Sequence, residues 1–291
     1  MAGIEEKMFK KLNETRNPEA IENFKLLYNK HREKLDSTFV SSICNGDDYA
    51  ITSREWELLL NEFISSRNLI YESADNGPDF KITSSYSKII WVEAICPNIQ
   101  GSKNKKITEY ASRIHNSCEF LEVPEEALDL VLTGAMKEKK EKFDEYRKNG
   151  VVNGNDIAII AISCAAFPAP RVLAPPGHGL PRIVKVCYGL GRPYVSLNTV
   201  SGGTREGIEV QKNIQNHNNS PVPKDMFLDS SYEDISAILV SASNIMKTTL
   251  DDAVLVHNPY AKNKLPFRIF KDATEYYVQN GKLAYTNRPM N

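Results

Sequence analysis

Two stretches of the chain, KIIWVEAIC at 88–96 and DIAIIAISCAAF at 156–167, are apolar at nearly every position and show no polar/apolar alternation. That pattern belongs to strands covered on both faces, which lie centrally in a sheet with a further layer on each side. A chain with two such strands is steered towards an α/β architecture. The first run also carries an anomaly. Glu93 stands among Ile89, Ile90, Trp91, Val92, Ala94, Ile95 and Cys96, where an ionised carboxylate is costly unless it is paired, hydrogen-bonded or bound to a metal.

The 291 residues are 41% hydrophobic and 25% charged, enough for a sizeable core. Lys and Arg number 36 against 37 Asp and Glu, a formal net charge of -1, so any site for a polyanion has to be local. Cys44, Cys96, Cys118, Cys164 and Cys187 are scattered without CxxC or Cys/His spacing, which argues against a disulfide framework or a zinc site. Cys96 and Cys164, inside apolar runs, read as reduced core residues. The start MAGIEEKMFKKL is charged, and no stretch approaches about 18 uncharged apolar residues. The sequence therefore predicts neither a signal peptide nor a membrane span, and a cytoplasmic location.

Along the chain, 1–50 reads as a helical segment with a break at Asn17–Pro18. Ser53 is the expected cap of a helix of about three turns with Trp56, Leu59, Leu60, Phe63 and Ile64 on one stripe. Strands at 69–73, 79–83 and around Trp91 follow, with turns at 74–78 and 84–87. Residues 98–123 read as a polar insertion. A long helix is expected from Pro124 to about Lys148, with acids in its first turn, bases in its last and a stop at Asn149–Gly150. The run at 156–167 is then another central strand. Residues 168–224, including GLGRP and SGGTREG, read as long loops; ISAILVSA (235–242) and DAVLVHNP (252–259) are strands, and a charged tail ends the chain. The expected units are thus 1–50, a core at 51–167, and a loop-rich C-terminal extension at 168–291 packed on the same domain.

Asp79, in GPDF, begins the strand before the one that holds Glu93. A hairpin through 84–87 would set Asp79 against residue 92 or so and bring both carboxylates within reach of one cation. Two carboxylates, a backbone carbonyl and open positions suit Mg²⁺. On the long helix, Leu128, Leu132, Ala135, Met136, Phe143 and Tyr146 mark the buried face, and Lys139 falls on it, with Lys142 as its substitute. Lys137, Lys140 and Glu141 lie off the stripe. Plainer readings stand beside these: a structural ion pair for Glu93, a turn cap for Asp79, and a lysine stem passing over the apolar face for Lys139. Glu57 and Glu62 are further acids that the first core helix would bring near. His178 and His257 read as surface or structural histidines, and Lys103, Lys105 and Lys106 as solvated.

GPDF, then WVEA, then a helix with an inward lysine and a following apolar strand, resembles the PD-(D/E)xK nuclease superfamily, in a bacterial branch, over about residues 53–167. The resemblance implies a restriction-endonuclease-like αβββαβ core with a mixed central sheet, N-terminal helices and a C-terminal β extension. It also implies a Mg²⁺-dependent (or Mn²⁺-dependent) phosphodiesterase acting on nucleic acid. Asp79 matches the first acid and Glu93 the second, both binding metal with help from the Ile95 carbonyl. The family's lysine would stand at position 95, where this chain has isoleucine, and Lys139 takes that role in the variant with a relocated lysine. The alternative is a nuclease-fold protein without catalysis that binds nucleic acid or protein.

Overall fold

The computed structural model describes residues 2–73, 76–83, 88–99, 105–114, 121–168, 179–197, 199, 202–216 and 218–286. Four helices come first: α1 (Ala2–Thr15), α2 (Pro18–His31), α3 (Phe39–Asn45) and α4 (Asp48–Ser65). The break between α1 and α2 is a cap, since the Asn17 side chain accepts the Ala20 N–H at 2.9 Å. The start of α4 departs from the expectation. Asp47, in extended backbone, accepts the Ala50 N–H at 2.9 Å, so the helix opens before Ser53, whose hydroxyl instead donates to the Tyr49 carbonyl at 3.0 Å. A boundary at 50/51 therefore cuts through α4.

β1 (Ile70–Ser73), β2 (Phe80–Thr83) and β3 (Ile89–Ile95) form an antiparallel meander. The expected polar insertion contains a helix, α5 (Lys105–Ile114), anchored by the fully buried Ile107. Then come α6 (Glu125–Lys148) and β4 (Ile157–Ser163), which pairs parallel to β3. α6 stops where Gly150 adopts a left-handed φ of 74°.

The region 168–224 is more ordered than its Gly, Pro and Asn content suggested. Its described part contains α7 (Arg182–Tyr188), an antiparallel ribbon of β5 (Leu190–Leu197) and β6 (Thr204–Val210), and a small hairpin of β7 (Asn213–Gln215) and β8 (Pro221–Pro223). GLGRP and SGGTREG thus lead into strands. β9 (Ala237–Ser241) and β10 (Val254–His257) fall where expected. The charged tail folds as a hairpin of β11 (Thr274–Gln279) and β12 (Lys282–Thr286), turned by Asn280 and Gly281 with φ of 52° and 71°.

Among the described residues, the main sheet has eight strands in the order β1-β2-β3-β4-β9-β10-β11-β12 and is mixed. The C-terminal strands therefore continue the sheet of the core. Alternate residues of the central strands enter two separate cores. Ile90, Val92, Ile157, Ile159 and Ala161 pack under α1–α4, while Trp91, Ile95, Ala158, Ile160 and Ile162 pack under α6 and α7. The architecture is accordingly α/β/α, and all seven residues of β4 are buried. Trp56 ties α4 to the sheet, its indole N–H donating to the Ala161 carbonyl at 3.2 Å. Among the described residues, no helix is long and apolar enough to cross a membrane.

Candidate active site

Glu93 lies on the α6 side of β3 by the same alternation that sends Trp91 and Ile95 there. The β2–β3 register, Phe80 against Val92, places Asp79 opposite Glu93 itself, one residue beyond the expected partner. Asp79 is held by the backbone: its Oδ2 accepts the Ala94 N–H at 2.6 Å. The two acids thus face each other where β2 begins, Asp79 just before that strand and Glu93 within β3.

Glu93 is 1% exposed and its charge is answered from α6. Lys139 and Lys142 both donate to Oε1, at 3.0 and 2.9 Å, and the Tyr146 hydroxyl donates to Oε2 at 3.4 Å. Positions 139, 142 and 146 are three and four residues apart and share one helix face. The inward lysine is therefore doubled. The Lys139 side chain is 9% exposed and that of Lys142 is 47% exposed, so one ammonium belongs to the interior and the other to the rim. Glu138 Oε1 approaches Lys139 from the other side at 3.7 Å.

Glu57, on α4, adds a third carboxylate, one that feels the charge of Asp79. Arg54 donates to Glu57 at 2.7 Å and also to Asp36. Glu62 belongs elsewhere, bound to Lys30 at 2.8 Å and to His31 at 2.7 Å. Burial and then the charge of Glu93 push the Asp79 carboxyl up to about 6. Burial pushes Glu57 up to about 8, with Asp79 adding and Arg54 opposing. For Lys142, burial works against the charged form, but Glu93 outweighs it and holds the ammonium above the usual lysine range. Burial and the same carboxylate push the Tyr146 phenol up to about 12.

The structure thus brings together Asp79, Glu93 and Lys139 with Lys142, the substitute lysine, and Glu57, one of the two further acids on the first core helix, and it adds a role for Tyr146. Ile95 ends β3 on the face of Glu93, with its side chain in the core beneath α6. His257, on β10, is buried 3.2 Å from Glu275 of β11, away from this site. Lys105 and Lys106 lie exposed in the first turn of α5, while His178 and Lys103 lie outside the described residues. The oxygens of Asp79 and Glu93 are hard donors of the kind Mg²⁺ and Mn²⁺ take. Among the described residues, no group of three or more His, Cys, Asp or Glu is arranged to hold a metal ion, so a cation here would rest on the carboxylate pair and its remaining ligands.

No family model, no curated protein and no solved structure matches the chain.

Proposed function

We propose that the protein is a divalent-metal-dependent phosphodiesterase acting on nucleic acid, built on a restriction-endonuclease-like core formed by α4, β1–β3, α6 and β4. The observation that carries this reading is the placement of Asp79 directly across from Glu93, with Lys139 and Lys142 converging on the same carboxylate. Asp79 and Glu93 would hold the cation, with the Ile95 carbonyl beside them. Such an ion, when bound, supplies an activated water and neutralises charge at the phosphoryl group. Lys139, on the buried face of α6, orients the attacking water. Lys142, half exposed at the rim, meets the incoming phosphate. Tyr146 remains a phenol across the working pH range and steadies Glu93.

A second reading is favoured by a specific observation: both oxygens of Glu93 already have protein donors, and isoleucine stands at 95. A module that kept this scaffold as a binding surface would look the same. Incubating the parent and Glu93→Ala with plasmid DNA, single-stranded DNA and RNA, in Mg²⁺, Mn²⁺ or EDTA, separates the two. Cleavage by the parent alone and only with metal supports the hydrolase. Intact substrates throughout, with a melting temperature indifferent to the ion, would leave the binding module.

A further inference from the structure

The β5–β6 ribbon stands apart from the main sheet, and among the described residues its strands pair only with each other. A two-stranded ribbon alone in water is marginal, and this one displays an apolar face. Pro193, Val195 and Leu197 alternate along β5 and meet Ile208, Glu206 and Thr204 of β6 on the same side. Val195 is 63%, Leu197 72%, Ile208 42% and Val210 70% exposed. The opposite face is shaped by Gly207: a Cβ there would stand 2.6 Å from the Tyr194 ring, which lies over the glycine instead.

The two edges of the ribbon are not equivalent. Pro193 has no N–H, so its pairing with Ile208 cannot be one that exchanges two hydrogen bonds. Alternation then assigns the mutual bonds to Tyr194–Gly207 and Ser196–Arg205, and turns the backbone groups of Glu206 and Ile208 outward. On β5 the outward set includes proline and is blunted for pairing. The edge of β6 keeps every donor.

The sequence of β6, TREGIEV, is self-complementary about Gly207. If a second copy of β6 lies antiparallel with Gly207 opposite Gly207, Arg205 faces Glu209 of the second copy and Glu209 faces Arg205 of the second copy. Glu206 and Ile208 then exchange their outward backbone bonds, and the two apolar faces join. We infer that β6 is the two-fold interface of a homodimer, a second copy adding its strand there to make a four-stranded sheet. Along the ribbon Arg192 and Arg205 balance Glu206 and Glu209, which suits a like partner and offers no field to a polyanion. The inference is independent of the reading of the Asp79–Glu93 site.

Sedimentation equilibrium of the full chain tests it. The parent should move from one to two chain masses as concentration rises. Arg205→Glu alone and Glu209→Arg alone each set like charges against each other twice and should weaken association at least about tenfold. Mixing these two variants sets opposite charges against each other at both contacts and should restore the dimer. So should the double reversal, Arg205→Glu with Glu209→Arg, in one chain. Circular dichroism confirms that each variant is folded. A parent that stays monomeric at every concentration overturns the inference. Single reversals that leave the dimer intact, or folded variants that remain monomeric when mixed, do the same.

Discussion

Lys139 Nζ stands 3.0 Å from Glu93 Oε1, joining a lysine that is 7% exposed to a glutamate that is 1% exposed. Neither side chain can return to water without moving α6 off the sheet, so each depends on the other. Breaking a buried pair by removing one partner costs more than the pair contributes, because the survivor keeps its desolvation penalty.

Glu93→Ala should therefore destabilise the protein by about 3 kcal/mol, the low end for a buried pair because Glu138 remains beside Lys139. Glu93→Gln, which keeps an acceptor for the lysines, should lose less. Urea denaturation with an unchanged m-value would read the difference; equal stability of Glu93→Ala and the parent would show that the pair carries no such strain.

The acids also set a pH dependence with a definite sign. Asp79 titrates near 6 in the fold against 3.8 for the ordinary carboxyl, and Glu57 near 8 against 4.5. Between those values the folded chain keeps protons that the unfolded chain releases. Stability present at low pH is therefore lost as pH rises through this window. Asp79→Asn should remove the lower part of that loss, about 2 kcal/mol after allowance for partial exposure. Thermal melts from acid to neutral pH would show a flatter profile for the variant.

On the proposed function, a cation competes with those same protons. The rise in melting temperature on adding Mg²⁺ should be larger near about pH 8 than near about pH 5, and should vanish in Asp79→Asn. A metal shift that is independent of pH would place the ion elsewhere.

The two lysines should separate by role. Lys139→Met should reduce cleavage by about 10²-fold at saturating substrate, as for a group that acts in the transition state. Lys142→Met should raise KM more than it lowers kcat, because its ammonium is at the rim. The reverse pattern would exchange the assignments.

A second buried network gives an independent stability test. Asp129 accepts from Arg182 at 2.6 Å and pairs with Lys224 at 2.7 Å, all three at least nine-tenths buried. Asp129→Asn leaves the buried Lys224 beside a neutral amide, while Arg182 keeps Glu125 at 2.7 Å, and should cost about 3 kcal/mol, the low end for a buried pair, measured by denaturant unfolding. This network clamps the first turns of α6 to α7 and to Lys224, just after β8.

The acid pair and its lysine were legible in the sequence because each breaks a local pattern. Glu93 interrupts an apolar strand, and Lys139 keeps step with Leu132, Ala135 and Phe143. Lys142 and Tyr146 follow from the same helical spacing once the facing residue is known. Glu57 stands together with Glu62 as a candidate in the sequence, and spacing alone does not choose between them, since which one faces Asp79 depends on how α4 crosses the meander. The Asp129–Arg182–Lys224 cluster had no local signature, as its members come from three separate segments. Elsewhere a local cue was present and competed with composition. Asn280–Gly281 between Val278 and Leu283 is a hairpin signal inside a charged tail, and Ile107 with Ile114 has helical spacing inside a lysine-rich stretch. Gly and Pro in GLGRP hid a strand, although one of them explains which edge of the ribbon is open.

β4 is covered on both faces and paired along both edges, to β3 before it in the chain and to β9 long after it. During synthesis its isoleucines leave the ribosome with only one neighbour in place. The other arrives only when Ala237–Ser241 has been translated. In that interval the nascent chain presents an apolar strand edge, the kind of surface that chaperones hold and that aggregates recruit. A fragment ending near 167 would keep that edge for good, because the neighbour that covers it lies about seventy residues further along the chain.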